Sequence, residues 1–243
     1  MKKHQSKLTF SYARVAFALV LVFAISIFFN SVQAAKLEKP TAGHYHPKDI
    51  IDWSLEKYPD QKNNISKTPL AKREKLVGAG LKAANSDGKV MAIMIANATT
   101  SGAPAQGGDD YRYSYAFTHW QYVDTLVYWG GSAGEGIIVL PSADFVDSAH
   151  KNGVKVVGTV FFPPEAYGGQ EKWVDEFVQK DSKGNFVLLD KMIEIADTLG
   201  FDGWFINEET NVSPETAKAL KEFLIEYNKK TDKTMVWYDA MVN

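Results

Sequence analysis

The chain has 243 residues, of which 45% are hydrophobic and 23% are charged, and this composition is typical of one globular domain with a short additional segment. Its formal net charge is −2, which argues against nucleic acid as a partner because phosphate binding needs a strongly basic surface. The chain has no cysteine, so disulfides, thiol catalysis and thiolate zinc sites are excluded.

The first 34 residues have the three parts of a bacterial-type secretory signal peptide. The basic residues at the start are Lys2, Lys3, Lys7 and Arg14. An uncharged run over 15–29 follows, and the small residues after it predict cleavage between Ala34 and Ala35. The alternative is a membrane anchor, but the run is short for a full span. We therefore expect a secreted or cell-surface protein with no stable membrane insertion after cleavage.

Residues 35–88 are predicted to be a lead segment that packs on a domain without forming one. They are polar and are interrupted by Pro40, Pro47, Pro59 and Pro69. One piece near 70–84 has a helical pattern. His44 and His46 lack further ligands nearby, and we expect a surface loop there, not a metal site.

From residue 89 onward, apolar runs alternate with helical patterns. Five continuous apolar runs predict strands buried on both faces, over 89–97, 122–131, 154–162, 201–207 and 234–241. Helices are predicted over 141–153, 186–199 and 213–230. The first should have Pro141 in its first position and stop at Gly153, and the third should begin with Ser213 as its cap.

This alternation predicts an α/β fold with a parallel sheet covered by helices, either a doubly wound sheet or a (β/α)8 barrel. No glycine-rich phosphate turn follows the first strand. Polar and aromatic residues instead gather at the carboxyl ends of the strands: Asn97, Tyr128-Trp129, Phe161-Phe162, Asn207-Glu209 and Tyr238-Asp239. Because barrel enzymes keep their sites at these ends, the barrel is favoured. A complete barrel needs about 250 residues, so residues 89–243 are expected to be an incomplete one, with about the first five strand–helix units.

The stretch "FDGWFINEET" places an amide and two carboxylates at the end of the fourth strand. Alternate side chains of a strand face the same side, so Asn207 and Glu209 share one face and Glu208 lies on the other. A carboxyl at Glu209 could act as general acid and then as base, whereas the amide could only hold and polarise a neighbouring group. The alternative is that all three are cap and turn residues in contact with solvent.

A glycosidase with two catalytic carboxylates would need a second acid, and the partner position here holds Asn207. An amide there fits substrate assistance, in which the 2-acetamido group of the sugar attacks. Aromatic residues at or just past the strand ends would suit sugar binding, although each ring alone is as easily explained by the core: Trp129, Phe161, Phe162, Tyr167, Trp237 and Tyr238.

Four stretches, "HWQYVDTLVYWGG", "AHKNGVKVVGTVFFPPE", "GFDGWFINEE" and "WYDAM", in this order resemble the catalytic domain of glycoside hydrolase family 85. The resemblance covers roughly residues 45 to 243. It implies a secreted endo-β-N-acetylglucosaminidase that cuts the GlcNAc-β-1,4-GlcNAc core bond of N-glycans, by a retaining mechanism through an oxazolinium intermediate and without metal or organic cofactor.

The same resemblance assigns residues. Asn207 corresponds to the amide that positions the acetamido nucleophile, and Glu209 to the general acid/base. Tyr238 is similar to an aromatic hydroxyl lining the same subsite, and the glycan-contacting aromatics are Trp129, Phe161 and Tyr167.

Two alternatives differ from this reading. A chitinase-like family uses the same chemistry but places further acids along its fourth strand, and this sequence lacks the partner carboxylate. The other alternative is an inactive glycan-binding remnant, which would follow if the chain is only an N-terminal portion without the units expected after the fifth strand.

Overall fold

The computed structural model describes residues 43–73, 88–95 and 117–239. The chain divides into two compact units, residues 1–39 and 40–243, and every described residue belongs to the second. The predicted signal peptide, Asn97 and most of the helical pattern near 70–84 lie outside the described residues.

The described residues form seven strands: β1 His44–Tyr45, β2 Met91–Ile95, β3 Thr125–Trp129, β4 Ile138–Val139, β5 Lys155–Phe162, β6 Gly203–Glu208 and β7 Thr234–Asp239. Five of them, in the order β2-β3-β5-β6-β7, pair in parallel with their neighbours. All five strands expected from the sequence are therefore confirmed, and the fold is a mixed α/β fold with parallel strands. The expectation that the first of them is buried on both faces was wrong, because Ile93 and Ile95 of β2 are 54% and 52% exposed.

Two short strands were not expected. β4 pairs antiparallel with the second half of β5, through Ile138 with Val160 and Val139 with Thr159, and β1 pairs antiparallel with β4. β3 pairs only with the first half of β5, up to Val157. A two-residue strand is too short to show a period, so the sequence carried no signal for β1 or β4.

The helices of the described residues are α1 Pro47–Ile50, α2 Ala143–Lys151, α3 Glu171–Phe177, α4 Leu189–Leu199 and α5 Pro214–Lys230. The three expected helices, α2, α4 and α5, are confirmed, and the Ser213 hydroxyl caps α5 by accepting from the Thr216 amide at 3.1 Å. The expectation for Pro141 was wrong. Ser142 is the cap of α2 and the helix begins at Ala143, so the proline lies before the cap.

Both faces of the parallel sheet are apolar, as the continuous apolar runs predict. Alternate residues of the strands pack against the helices in the main core, among them Leu126, Val156, Val160, Trp204, Ile206 and Met235. The other set forms a smaller cluster of Val127, Val157 and Phe205, with Met91, Trp129 and Val236 packed on it. We call this second face of the sheet the inner face.

Residues 43–73 pack on this sheet and its helices. Ile50 and Trp53 are fully buried in the main core. The expectation of a surface loop around the two histidines was wrong, because His44 lies in β1 and the His46 ring lies 4.8 Å from that of Trp173. Within the described ranges, no group of three or more acidic, histidine or cysteine residues could hold a metal ion, and none of their helices is both long and apolar enough to span a bilayer.

Candidate active site

Asn207 and Glu209 lie at the carboxyl end of β6, in the interior of the sheet. In the strand register, Asn207 is opposite Phe161 of β5 on one side and Tyr238 of β7 on the other. The backbone amide of Glu209 extends the ladder by donating to the Phe162 carbonyl at 2.9 Å. Pairing on both sides therefore fixes the position of Asn207, and the bond to β5 fixes the backbone of Glu209.

The Asn207 side chain connects directly to the Glu209 carboxylate. Its amide nitrogen Nδ2 donates to Glu209 Oε1 over 2.6 Å. In this arrangement the nitrogen of the amide faces the carboxyl group, and the amide oxygen Oδ1 does not contact it. The two side chains thus lie on one face of the strand, as the period of two predicts.

The amide oxygen of Asn207, Oδ1, is a buried hydrogen-bond acceptor. Asn207 is 3% exposed, and within the described part of the chain Oδ1 has no hydrogen-bond partner. A buried acceptor without a donor costs about 1–3 kcal/mol, and such a group calls for an explanation. A ligand N–H placed here would satisfy it.

Glu208 belongs to the opposite row of β6, together with Trp204 and Ile206 of the main core. It is 4% exposed, and its Oε1 accepts a hydrogen bond from the Thr210 amide at 2.7 Å. The alternative in which Glu208 is a solvated turn residue was wrong, because this carboxyl group is buried and bonded, on the opposite row of the strand that the period of two predicts.

Three of the aromatic residues expected at the site come together on the inner face. The ring centroids of Trp129 and Phe161 are 5.1 Å apart, and Phe205 lies 6.3 Å from Trp129 and 6.2 Å from Tyr238. The Tyr238 ring is 55% exposed and stacks on Phe205 at an angle of 19°. Sequence reasoning missed Phe205, although it stands two residues before Asn207 and thus on the same face.

Other rings lie elsewhere. Tyr167 lies in a 3₁₀ turn, Glu165–Tyr167, beyond β5 and is 78% exposed; no ring contact between described residues joins it to the other three. Phe162 lies in the main core on the helix-facing side, and the partly buried Trp237 packs against that core, so counting them with the site was wrong. The period of two would have separated them from Phe161 and Tyr238.

Comparison with known proteins identifies the family. The sequence model of Glycosyl hydrolase family 85 matches residues 97–243, and the chain belongs to this family of glycosidases. This confirms the resemblance seen in the sequence, and it separates the chain from the chitinase-like alternative.

Two curated relatives and one solved structure show the extent of the similarity. The chain is 29% identical over 140 residues to the cytosolic endo-beta-N-acetylglucosaminidase of Mus musculus, covering 56% of this chain and 18% of that protein. Over 139 residues it is 30% identical to the cytosolic endo-beta-N-acetylglucosaminidase 2 of Arabidopsis thaliana, covering 55% and 19%. The chain spans about a fifth of the length of these relatives.

The solved structure is the Spr0440 glycoside hydrolase domain, Endo-D, of Streptococcus pneumoniae R6. It superposes with a TM-score of 0.66 at 27% sequence identity, covering 84% of this chain and 32% of that one. The mixed α/β arrangement of the described residues is therefore shared with a glycoside hydrolase domain.

Proposed function

We propose that the chain carries the catalytic pair of an endo-β-N-acetylglucosaminidase that hydrolyses the GlcNAc-β-1,4-GlcNAc core bond of N-glycans on glycoproteins. Family membership and the names of the relatives support this function. The observation that carries it is the 2.6 Å hydrogen bond between Asn207 and Glu209 at the end of β6, with the amide oxygen of Asn207 left as a buried acceptor.

In the first step, the 2-acetamido oxygen of the sugar attacks the anomeric carbon. Asn207 Oδ1 accepts the hydrogen bond of the acetamido N–H and so turns the acetamido oxygen toward that carbon. The bond from the anomeric carbon to the leaving oxygen breaks, and Glu209 donates its proton to that oxygen. The products of this step are an oxazolinium ion and the GlcNAc that remains on the protein.

In the second step, Glu209 acts as a base and removes a proton from water while the water attacks the anomeric carbon. The carbon–oxygen bond to the acetamido group breaks, and the acetamido group is restored. Two displacements at the same carbon give retention of configuration. The mechanism needs one carboxyl, which fits the amide at position 207, and it uses no metal or organic cofactor.

We propose that Tyr238, Trp129 and Phe161 bind the glycan at this end of the sheet, with Tyr167 contributing from the loop after β5. Phe161 and Tyr238 lie beside Asn207 in the strand register, and Trp129 contacts Phe161. The exposed ring of Tyr238 offers a stacking surface. Tyr167 is separate from them and highly exposed, so it would contact a more distant part of the glycan.

The sheet also supports a proposal for the architecture of the domain and for the organisation of the chain. Five parallel strands follow one another in sheet order with helices on one face, which fits the first five units of a (β/α)8 barrel within residues 89–243. Residues 35–88 would then be a lead segment packed on the barrel, and residues 1–34 a signal peptide.

Secretion is proposed from residues 1–34 alone, since the mouse and Arabidopsis relatives are named as cytosolic. Amino-terminal sequencing of the exported protein should begin at Ala35. Retention of Met1, or recovery only inside the cell, would contradict the proposal.

The function is tested by incubating the chain with an N-glycosylated protein and analysing both products by mass spectrometry. We expect a free glycan and a protein that keeps one GlcNAc on asparagine, and no cleavage of a substrate whose 2-acetamido group is replaced by hydroxyl. Cleavage at the asparagine amide would contradict the proposal. An intact glycoprotein that is retained by the chain would instead support the glycan-binding alternative.

A further inference from the structure

The chain segment that carries Glu209 is held at several points. The Thr210 amide donates to Glu208 Oε1 at 2.7 Å, and the Thr210 hydroxyl donates to the Pro163 carbonyl at 2.7 Å. On the other side, the Glu209 amide donates to the Phe162 carbonyl. The peptide group before Glu209 is therefore bonded to β5, and the peptide group after it is bonded to a side chain of β6.

The burial of these anchors is unusual for their residue types. Glu208 is 4% and Thr210 is 5% exposed, and the row that contains Glu208 is otherwise apolar, with Trp204 and Ile206 before it. Burying a carboxylate costs free energy unless hydrogen bonds compensate it. The hydrogen bond from the Thr210 amide supplies part of this compensation, and leaving a buried amide without its acceptor would cost about 1–3 kcal/mol, so Glu208 stabilises one particular backbone conformation at Thr210.

We propose that Glu208 and Thr210 are positioning residues for the reaction. By fixing the backbone on the carboxyl side of Glu209, they hold its carboxylate at hydrogen-bond distance from Asn207. A side chain at the end of a strand, without such anchors, would sample several positions. Because misplacement of a catalytic group by about 1 Å can lower a rate by about a hundredfold, this anchoring bears directly on turnover. The inference rests on the proposed function of Asn207 and Glu209.

Matched substitutions separate positioning from folding. Glu208→Leu and Thr210→Val keep approximate size but remove the acceptor or the hydroxyl, whereas Glu208→Gln and Thr210→Ser keep them. In the glycopeptide hydrolysis assay, we expect kcat to fall about 10- to 100-fold in the first pair with KM little changed. The second pair should remain close to the wild type, and thermal unfolding shows which variants are folded at the assay temperature.

A second measurement does not depend on turnover. In the NMR spectrum of the folded chain, the Asn207 side-chain amide reports its hydrogen bond to Glu209 through the chemical shift of the bonded proton. Glu208→Leu and Thr210→Val should move this signal toward its position in the Glu209→Ala variant, and Glu208→Gln and Thr210→Ser should not.

The outcomes are distinguishable. If the wild type does not hydrolyse the glycopeptide, the proposed function fails, and the Asn207 signal still decides whether the anchors hold Glu209. If the Leu and Val variants fold and retain both the wild-type kcat and the wild-type Asn207 signal, the positioning role is overturned. A change shared equally by all four variants would also overturn it.

Discussion

Glu209 is the member of the proposed catalytic pair that can give and take a proton, whereas Asn207 is a neutral amide. Their 2.6 Å hydrogen bond links the proposed acid/base at Glu209 to the amide that is proposed to position the acetamido group. Glu209 orients the amide by accepting a hydrogen bond from its N–H group. In the proposed mechanism, Glu209 regains its negative charge when it donates a proton to the leaving oxygen, and this would strengthen the same hydrogen bond because bonds to an ionised acceptor are stronger.

Glu209→Gln should remove hydrolysis and leave glycan binding largely intact. Glutamine has nearly the same shape but cannot donate and then accept the proton, and general acid–base catalysis contributes about 10²- to 10⁴-fold. Steady-state kinetics and equilibrium binding of the same glycopeptide measure the two effects. The control Glu226→Gln changes an exposed glutamate of α5 and should have no effect; hydrolysis by Glu209→Gln at the wild-type rate would refute the assignment.

Gly203 shows why the strand that carries this pair begins with glycine. Its φ is +136°, and a Cβ built there would lie 1.9 Å from the Thr234 carbonyl oxygen. Gly203 pairs with Thr234 in the register of β6 and β7. Glycine therefore permits the close approach that brings Tyr238 beside Asn207.

Gly203→Ala should lower the free energy of unfolding by at least about 2 kcal/mol, from backbone strain and steric clash together. Two controls separate these causes. Gly184→Ala has positive φ but open space, so it should cost about 1–2 kcal/mol, and Gly134→Ala has neither problem and should stay within about 0.5 kcal/mol. Urea denaturation measures all three, and equal values would contradict the steric argument.

At the scale of elements, His150 ties α2 to β5, β6 and the lead segment. Its Nδ1 lies 2.7 Å from the Thr68 carbonyl oxygen and its Nε2 lies 2.8 Å from Asp202 Oδ2. A carbonyl oxygen only accepts, so Nδ1 carries a proton, and the carboxylate beside Nε2 favours a proton on that nitrogen as well. These contacts therefore favour the charged form of the ring. Asp202 also accepts from the Val156 amide at 2.8 Å.

The same contacts set the direction of the pKa shift. Burial by itself would lower the pKa of His150, but the hydrogen bonds to Asp202 and to the Thr68 carbonyl, with the charge of Asp147 nearby, raise the pKa above its ordinary value of 6.5. A raised pKa in the folded state means that folding favours the protonated ring. The stabilisation is complete below pH 6.5 and is lost as the pH rises through the higher pKa of the folded state.

The difference in free energy of unfolding between the wild type and His150→Gln should therefore be largest at acidic pH and should decline above about pH 6.5. Glutamine retains hydrogen-bonding groups but does not titrate there, so the titrations of groups remote from position 150 cancel in the difference, and the comparison is made above the pH range in which Asp202 itself titrates. Denaturation at a series of pH values provides the measurement. A difference that is constant or grows with rising pH would show that the ring is not held in its charged form.

At the scale of the whole molecule, residues 43–73 are part of the same folded unit as the sheet. Asp147 of α2 accepts hydrogen bonds from the Ser66 hydroxyl at 2.7 Å and from the amides of Lys67 and Thr68 at 3.0 Å. Trp53 is 1% exposed within the main core. The sheet therefore needs this segment to complete the core on its helix-facing side.

Trp53→Ala should destabilise the whole chain by about 3–5 kcal/mol, because it removes a fully buried ring and leaves a cavity. Unfolding should remain a single transition that shifts to lower denaturant. The control Leu70→Ala, at a side chain that is 40% exposed, should cost about 0.5 kcal/mol. Loss of structure confined to residues 43–73, with an unchanged transition of the sheet, would contradict the shared core.

The sequence by itself determined the five parallel strands, three of the helices and the separation of Asn207 and Glu209 from Glu208. These follow from local rules: a strand buried on both faces is a continuous apolar run, and alternation along a strand is a property of the backbone. The family followed from the order of four motifs, and the family model matches the same region.

Only the tertiary structure decided the rest, because the relevant contacts join distant parts of the chain. β1 and β4 exist through pairing, with no period to mark them. Thr210 meets Pro163 across 47 residues and His150 meets Thr68 across 82. The strand pairs place Phe161 and Tyr238 beside Asn207, and packing leaves Tyr167 apart from them. Such contacts depend on strand register and on helix packing, which local sequence patterns do not specify.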